Sequence, residues 1–170
     1  AKFVSINPIQ TGYSAIADEW IGIRPGTDGK FILALVHELL KADKIDLDYI
    51  VRYTNLPWLV IQNPGGADDG LFARGIDGEP VCWDTGTNQA ADARLAGVSP
   101  ALTGSFRLDD NREAVPAFAL MATRYLDEEY SPEAAEQETG VSASTMRRIA
   151  AEIAEIAFEK EIEIEQPWTD

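Results

Sequence analysis

Within the first forty residues, in FVSINPIQTGYSAIADEWIGIRPGTDGKFILALVHELL, an apolar run twice breaks into a polar turn. The run Phe3–Ile6 ends in Asn7-Pro8. A second run, Trp20–Ile23, ends in Pro25-Gly26-Thr27-Asp28 and passes directly into an amphipathic segment. Strand ends that open onto polar turns, one of them starting a helix, are how an α/β domain builds a nucleotide-binding edge. The expected fold class is therefore α/β: a partly parallel sheet flanked by helices, nucleotide-binding-like, with a β-rich insertion.

Local signals place the remaining elements. Thr27 or Asp28 can cap a helix whose apolar face is Phe31, Ile32, Leu35, Val36, Leu39 and Leu40. Asp46 can cap a short helix to about Thr54, and Leu59–Ile61 reads as a strand. From Gln62 to about Pro116, Gly, Asp, Asn and Pro break up short apolar pieces at Leu71–Arg74, Pro80–Trp83, Gly104–Leu108 and Glu113–Val115. Asp77-Gly78 and Asp109-Asp110-Asn111 have hairpin-turn chemistry. Thr85 to Pro100 lacks a clear period and is expected as a long loop. Pro116 suits a first helical position, ahead of a face of Phe118, Met121, Tyr125 and Leu126. Ser131-Pro132-Glu133 starts another helix, Gly140 ends it in a left-handed turn, and Ser142 caps the last. The face of that last helix is Met146, Ile149, Ala150, Ile153, Ala154 and Ala157. Glu161–Glu165 alternates Glu and Ile, as a half-exposed strand does. The expectation is one domain over 1–170, with 1–61 and 116–165 as the α/β core and 62–115 as the insertion. Both ends read as interior to a longer polypeptide.

Charge narrows the partners. The 170 residues carry a net charge of −15. Residues 1–60 are nearly neutral, with 6 basic and 7 acidic side chains, whereas residues 127–165 hold 3 basic and 12 acidic ones. Nucleic acid and anionic lipid both repel such a chain, so neither is expected as a partner. The near-neutral segment is the better place for an anionic ligand. One cysteine, Cys82, permits no internal disulfide, thiolate zinc site or iron–sulfur cluster. No apolar run reaches the length of a membrane helix, so direct insertion is not expected. Cytoplasmic placement and attachment to a membrane through partner subunits are both compatible with the sequence, which does not decide between them.

Two polar turns are the candidate site. Asn7-Pro8-Ile9-Gln10-Thr11 offers amide and hydroxyl groups for a purine edge, ribose or phosphate. Gly26-Thr27-Asp28 lies at a helix start, where free amides attract phosphate and a carboxylate can accept from guanine. The structural alternative is that Gly26-Thr27-Asp28 only caps its helix. Neither GxGxxG nor GxxxxGK[ST] is present. Arg24 could face a phosphate or stand solvated at a strand end. His37 is expected to be packed or partly exposed in its helix. Asp68-Asp69 and Asp109-Asp110 read as solvated turns, without calcium-loop spacing.

In this order, Asn7-Pro8-Ile9-Gln10-Thr11, Ala17-Asp18, Gly26-Thr27-Asp28, Asp46-Leu47-Asp48-Tyr49-Ile50 with Tyr53-Thr54, and Tyr130-Ser-Pro-Glu … Thr139-Gly-Val-Ser … Met146-Arg-Arg-Ile-Ala form a series. That series resembles the cofactor-binding domain of molybdopterin oxidoreductases, the dimethyl-sulfoxide-reductase-like family. Residues 1–54 and 125–154 carry the likeness. Asn7 and Ile9-Gln10 stand where the family usually has Asp and Arg. The resemblance implies two-electron redox or oxygen-atom transfer at molybdenum in a parent enzyme. It implies molybdopterin guanine dinucleotide as cofactor, held in part by Asn7, Pro8, Ile9, Gln10, Thr11, Gly26, Thr27 and Asp28. The family's metal-ligating side chain and cluster cysteines lie elsewhere in the polypeptide. This chain alone is thus expected to hold no metal or cofactor and to be inert. Expected partners are the rest of the parent polypeptide and an iron–sulfur electron-transfer subunit. The middle of the chain and Gln166-Pro-Trp are similar to the branch of sulfite dehydrogenases and thiosulfate or polysulfide reductases.

A reading of a different class is a helix-turn-helix DNA-binding regulator over Ser131–Glu152, with Thr145, Arg147 and Arg148 on its second helix. Two helices packed around a glycine turn give the same pattern.

Overall fold

The computed structural model describes residues 2–161. Its elements in chain order are β1 (Val4–Ile6), β2 (Glu19–Ile21), α1 (Asp28–Lys41), α2 (Leu47–Tyr53), β3 (Leu59–Gln62), β4 (Val81–Asp84), β5 (Gln89–Asp92), β6 (Phe106–Arg107), β7 (Glu113–Pro116), α3 (Ala117–Tyr125), α4 (Pro132–Thr139) and α5 (Ala143–Glu159). Short 3-10 turns lie at Gly12–Ala15 and Glu128–Tyr130. The expected strand at Glu161–Glu165 falls almost wholly outside the described residues. Two compact units form: Ala1–Ile45 with Tyr125–Asp170, and Asp46–Arg124. The boundaries expected from composition are 61/62 and 115/116. Pairing partners explain why β3 and β7 group together: both belong to one three-stranded sheet.

The fold is mixed α/β, with helices and small sheets, one of them parallel. In the first unit β1 pairs parallel with β2, Ile6 opposite Ile21. Ile21, Ile23, Phe31, Ala34, Leu35, Ala135, Val141, Met146, Ile149 and Ala150 form its core. The two-strand sheet is therefore covered by α1, α4 and α5. Helical spacing identifies half of these positions, Phe31, Leu35, Met146, Ile149 and Ala150, but not how far the covering surface reaches. Ile32 and Ile153 are about half exposed and Ala157 is exposed, while Ala34 and His37 are buried.

In the second unit β3 pairs antiparallel with β7, and β7 with β6. Pro116 closes β7 opposite Leu59, and α3 starts one residue later, so this proline ends a strand rather than opening a helix. The expected long loop at Thr85 to Pro100 contains β5, paired with β4 from Val81↔Asp92 to Asp84↔Gln89. The β5 sequence, Gln-Ala-Ala-Asp, has no branched or large residue to announce a strand. Trp83 stacks on Phe106 with ring centroids 4.6 Å apart, joining this hairpin to β6.

Cys82 lies on β4 and is fully buried. Burial pushes its thiol up to about 11. At neutral pH it should therefore stay unmodified by an aromatic disulfide reagent in the folded chain, and react fully in denaturant. Rapid labelling of native protein would contradict this packing.

Candidate functional site

The parallel register of β1 and β2 brings the two predicted turns out at the same end of the sheet. The Asn7 amide donates to Ile21 O at 3.1 Å, so the ladder continues to where both strands end. From there Pro8–Thr11 leaves β1, and Gly22–Thr27 leaves β2 for α1. A shallow open depression of about 490 Å³ lies between them, lined by Pro8, Ile9, Gly22, Ile23, Arg24, Pro25, Thr139 and Gly140. Of the predicted residues, only Pro8 and Ile9 line it. Asn7, Gln10 and Thr11 flank it on the first turn, and Gly26, Thr27 and Asp28 follow Pro25 on the second.

Each turn has a local physical cause. In the first, Trp20 Nε1 donates to Asn7 O at 3.1 Å, and Thr11 N to Ile9 O at 3.0 Å. The buried hydroxyls of Ser5 and Ser14 bond at 2.9 Å, tying β1 to the following 3-10 turn. Asp18 of the Ala17-Asp18 pair accepts from the Phe3 amide at 2.7 Å and fixes the start of the sheet. In the second turn Gly26 sits at φ +81°, a conformation that a side chain would strain. Thr27 donates through its amide and its hydroxyl to Arg24 O, the hydroxyl at 2.7 Å. It therefore closes the turn and does not cap α1 with its side chain. Asp28, the first helical residue, is exposed. The side chains of Asn7, Gln10, Thr11 and Asp28 make no hydrogen bond to another described residue. The amides of the first turn of α1 have no partner within the helix.

Arg24 has a role that neither sequence expectation covered. Its guanidinium donates to Gln137 O at 2.7 Å and Glu138 O at 3.3 Å, and its amide to Thr139 O at 2.9 Å. It thus satisfies carbonyls that the end of α4 leaves unpaired and places positive charge at the negative end of the helix dipole. These partners lie more than 110 residues away in sequence, and no local pattern signals them.

His37 is buried, and its Nδ1 is 2.9 Å from Tyr125 O, a packed position within the first unit. The helix pair α4–α5 turns at Gly140, φ +73°, and is capped by Ser131 and Ser142. Its two arginines are paired with carboxylates. Arg147 reaches both oxygens of Glu133 at 2.6 and 2.7 Å, and Arg148 pairs with Glu19 and with Glu152. Met146 and Ile149 face the core. A DNA-reading helix needs such arginines for phosphates and base edges, so the geometry favours a structural helix pair.

In the second unit Arg112 bridges Asp68 and Asp110 at 2.6 Å each. This holds the two acidic turns as ion-paired loop anchors. Among the described residues no group of three or more His, Cys, Asp or Glu side chains is arranged to hold a metal ion. No helix of the described residues is long and apolar enough to cross a membrane.

No protein-family model matches the chain. Individual proteins do. A sulfite dehydrogenase subunit from Allochromatium vinosum is 41% identical over 99% of this chain and 18% of its own length. The alpha subunit of perchlorate reductase from Dechloromonas aromatica is 28% identical over 90% of the chain and 20% of its own length. The molybdopterin-containing subunit of thiosulfate reductase from Salmonella typhimurium is 40% identical over 32% of the chain and 7% of its own length. The chain spans about a fifth or less of these curated relatives. By this similarity, which in the first case runs along almost its whole length, the chain belongs to the molybdopterin oxidoreductase family.

Proposed function

We propose that this chain supplies one wall of a molybdopterin guanine dinucleotide site in an oxidoreductase of two-electron or oxygen-atom transfer, and that its two polar turns hold the guanosine end. The observation that carries this reading is the parallel β1–β2 register, which delivers both turns to one sheet end with the side chains of Asn7, Gln10, Thr11 and Asp28 unspent among the described residues. The donor set suits the group. Asp28 presents a carboxylate that can accept from the N1–H and exocyclic amine of guanine, and the α1 amides beside it can donate to a phosphate oxygen. Asn7, Gln10 and Thr11 offer donors and acceptors to ribose or purine. Arg24 holds the second turn in place through its bonds to the end of α4.

Bound there, the cofactor would supply redox chemistry at molybdenum. The chain's own part is to bind and orient its nucleotide end at the strand ends, as a nucleotide-binding-like α/β domain does. The metal ligand and any iron–sulfur cluster then belong to other parts of the parent polypeptide, whose partner is an iron–sulfur electron-transfer subunit. A sulfur oxyanion is the substrate class favoured by the 41% identity, along nearly the whole chain, to part of a sulfite dehydrogenase.

Asp28→Ala in the parent enzyme tests the site. A charge-assisted hydrogen bond contributes about 1.5–3 kcal/mol, so retention of guanine nucleotide should fall roughly 10- to 100-fold. Guanine released per polypeptide on acid denaturation, with molybdenum content alongside, reads it. Nucleotide retention equal to wild type would remove Asp28 from the site.

A further inference from the structure

One side chain joins the starts of the two turns. Alternation along β2 sends Ile21 and Ile23 to the core, so Trp20 and Gly22 face the other side of the sheet. Gly22, where the chain leaves β2, has no side chain, and the six-membered half of the Trp20 indole fills that space. A β-carbon at Gly22 would stand 3.0 Å from Cη2 and 3.3 Å from Cζ2 of Trp20. The nitrogen edge of the same ring reaches across to the end of β1, where Nε1 donates to Asn7 O at 3.1 Å. Trp20 therefore covers Gly22, which lines the depression, and fixes the carbonyl from which the first turn departs.

The indole bond stands where a backbone bond would otherwise be. Asn7 N donates to Ile21 O. In a parallel ladder the carbonyl of the same residue next accepts from the amide two residues beyond, here Ile23. Among the described residues no backbone bond joins Ile23 N to Asn7 O. The indole supplies the donor instead. Asn7 O is satisfied, and the second chain is free to turn away toward α4, where the Arg24 amide donates to Thr139 O at 2.9 Å. Fixing Asn7 O also fixes the plane of the Asn7–Pro8 peptide, and the Pro8 ring sets the next backbone angle. The direction of Pro8–Thr11 thus follows from where the Trp20 nitrogen sits.

We propose that Trp20 is a positioning residue for the nucleotide site: by taking the place of the Ile23 donor it ends the β1–β2 ladder at Asn7 and holds the two turns apart for the guanosine end. This role presupposes that the two turns are the nucleotide site. It gives Trp20 no contact with the nucleotide; the effect runs through Asn7 O and the bare backbone of Gly22. A phenylalanine at position 20 keeps a ring over Gly22 and loses the donor, which leaves Asn7 O to draw Ile23 N into the ladder and narrow the gap between the turns. An alanine at position 22 displaces the ring, and the donor moves with it.

Two measurements test this, one of them without the cofactor. In the 170-residue chain the Trp20 indole N–H should exchange with solvent at least about tenfold more slowly than a free indole, because Asn7 O holds it. Exchange at the free-indole rate overturns the positioning role and leaves the nucleotide site standing. In the parent enzyme, Trp20→Phe should lower the guanine released per folded polypeptide by roughly 3- to 10-fold, the loss expected for one hydrogen bond. Gly22→Ala should lower it by a similar factor. The double variant should lose no more than the larger single loss, since both changes act through one contact. Folded protein is counted by far-ultraviolet circular dichroism, so a merely structural role would reduce the yield of folded enzyme and not its guanine per folded chain. Wild-type retention in Trp20→Phe, where Asp28→Ala loses nucleotide, overturns the positioning role alone. Losses that multiply in the double variant also overturn it, because Gly22→Ala would then act on the nucleotide directly. Retention unchanged in Asp28→Ala and Trp20→Phe alike removes the site and this role together.

Discussion

Met146→Ala should destabilise the chain by about 2–5 kcal/mol, the range for truncating a fully buried large aliphatic side chain. Met146 has no exposed surface and sits among Ile21, Phe31, Leu35, Ala135 and Ile149. The parallel strand pair and the helices that cover it meet in this core. Alanine would lose the transfer energy of three heavy atoms and leave a cavity that strand and helix backbones cannot both close. Met146→Leu, nearly equal in volume, should cost less than about 1.5 kcal/mol. Urea unfolding of both variants reads the difference, which requires an unchanged slope with denaturant for a clean comparison. An alanine variant within about 0.5 kcal/mol of wild type, the range for surface substitutions, would mean that α5 does not pack as described.

Met146 was legible because helical spacing repeats every few residues and needs no knowledge of the partner. The same holds for the helix caps. Asp46 accepts from Tyr49 N, Ser131 from Ala134 N and Ser142 from Thr145 N, each three residues on. What stayed hidden depends on chain segments far apart. Arg24 finds its carbonyls across 113 residues, and His37 its carbonyl across 88. The β5 strand is set by its partner β4, since its own small residues carry no strand preference. Ile32 and Ile153 sit on the expected faces, yet the covering surface stops short of them among the described residues. The candidate site divides in the same way. Two strand ends with polar turns were visible from composition and order alone. The parallel pairing that sets them side by side joins residues fifteen apart, as in Val4↔Glu19, and local pattern does not specify it. The choice of guanosine over a plain helix cap rested on family likeness.

Asp84→Ala should unfold the second unit more readily than the loss of any solvent-facing turn aspartate, and the effect should depend on pH. Asp84 ends β4 and is only 6% exposed. One carboxylate oxygen accepts from Ser99 N at 2.9 Å and Gly86 N at 3.1 Å. The other accepts from the Thr87 hydroxyl at 2.7 Å and the Thr87 amide at 3.2 Å. The side chain thereby closes the β4–β5 turn and fastens it to Ser99. These donors, the Ser99 amide foremost and then the Thr87 hydroxyl, hold its carboxyl below the usual aspartate value. A folded-state value below the unfolded one means that this contribution is complete above the unfolded value, about 3.9, and is lost as pH falls through the folded value. Asp84→Asn keeps the shape but turns one acceptor into a donor and leaves the Thr87 amide unpaired. It should be less damaging than alanine at pH 7, and its deficit against wild type should shrink below about pH 4. Trp83, the neighbouring residue stacked on Phe106, reports this unit by fluorescence during denaturant unfolding between pH 7 and pH 3. If wild type and Asp84→Asn keep a constant gap through that range, protonation of Asp84 is not linked to folding, and the turn is held by its backbone alone.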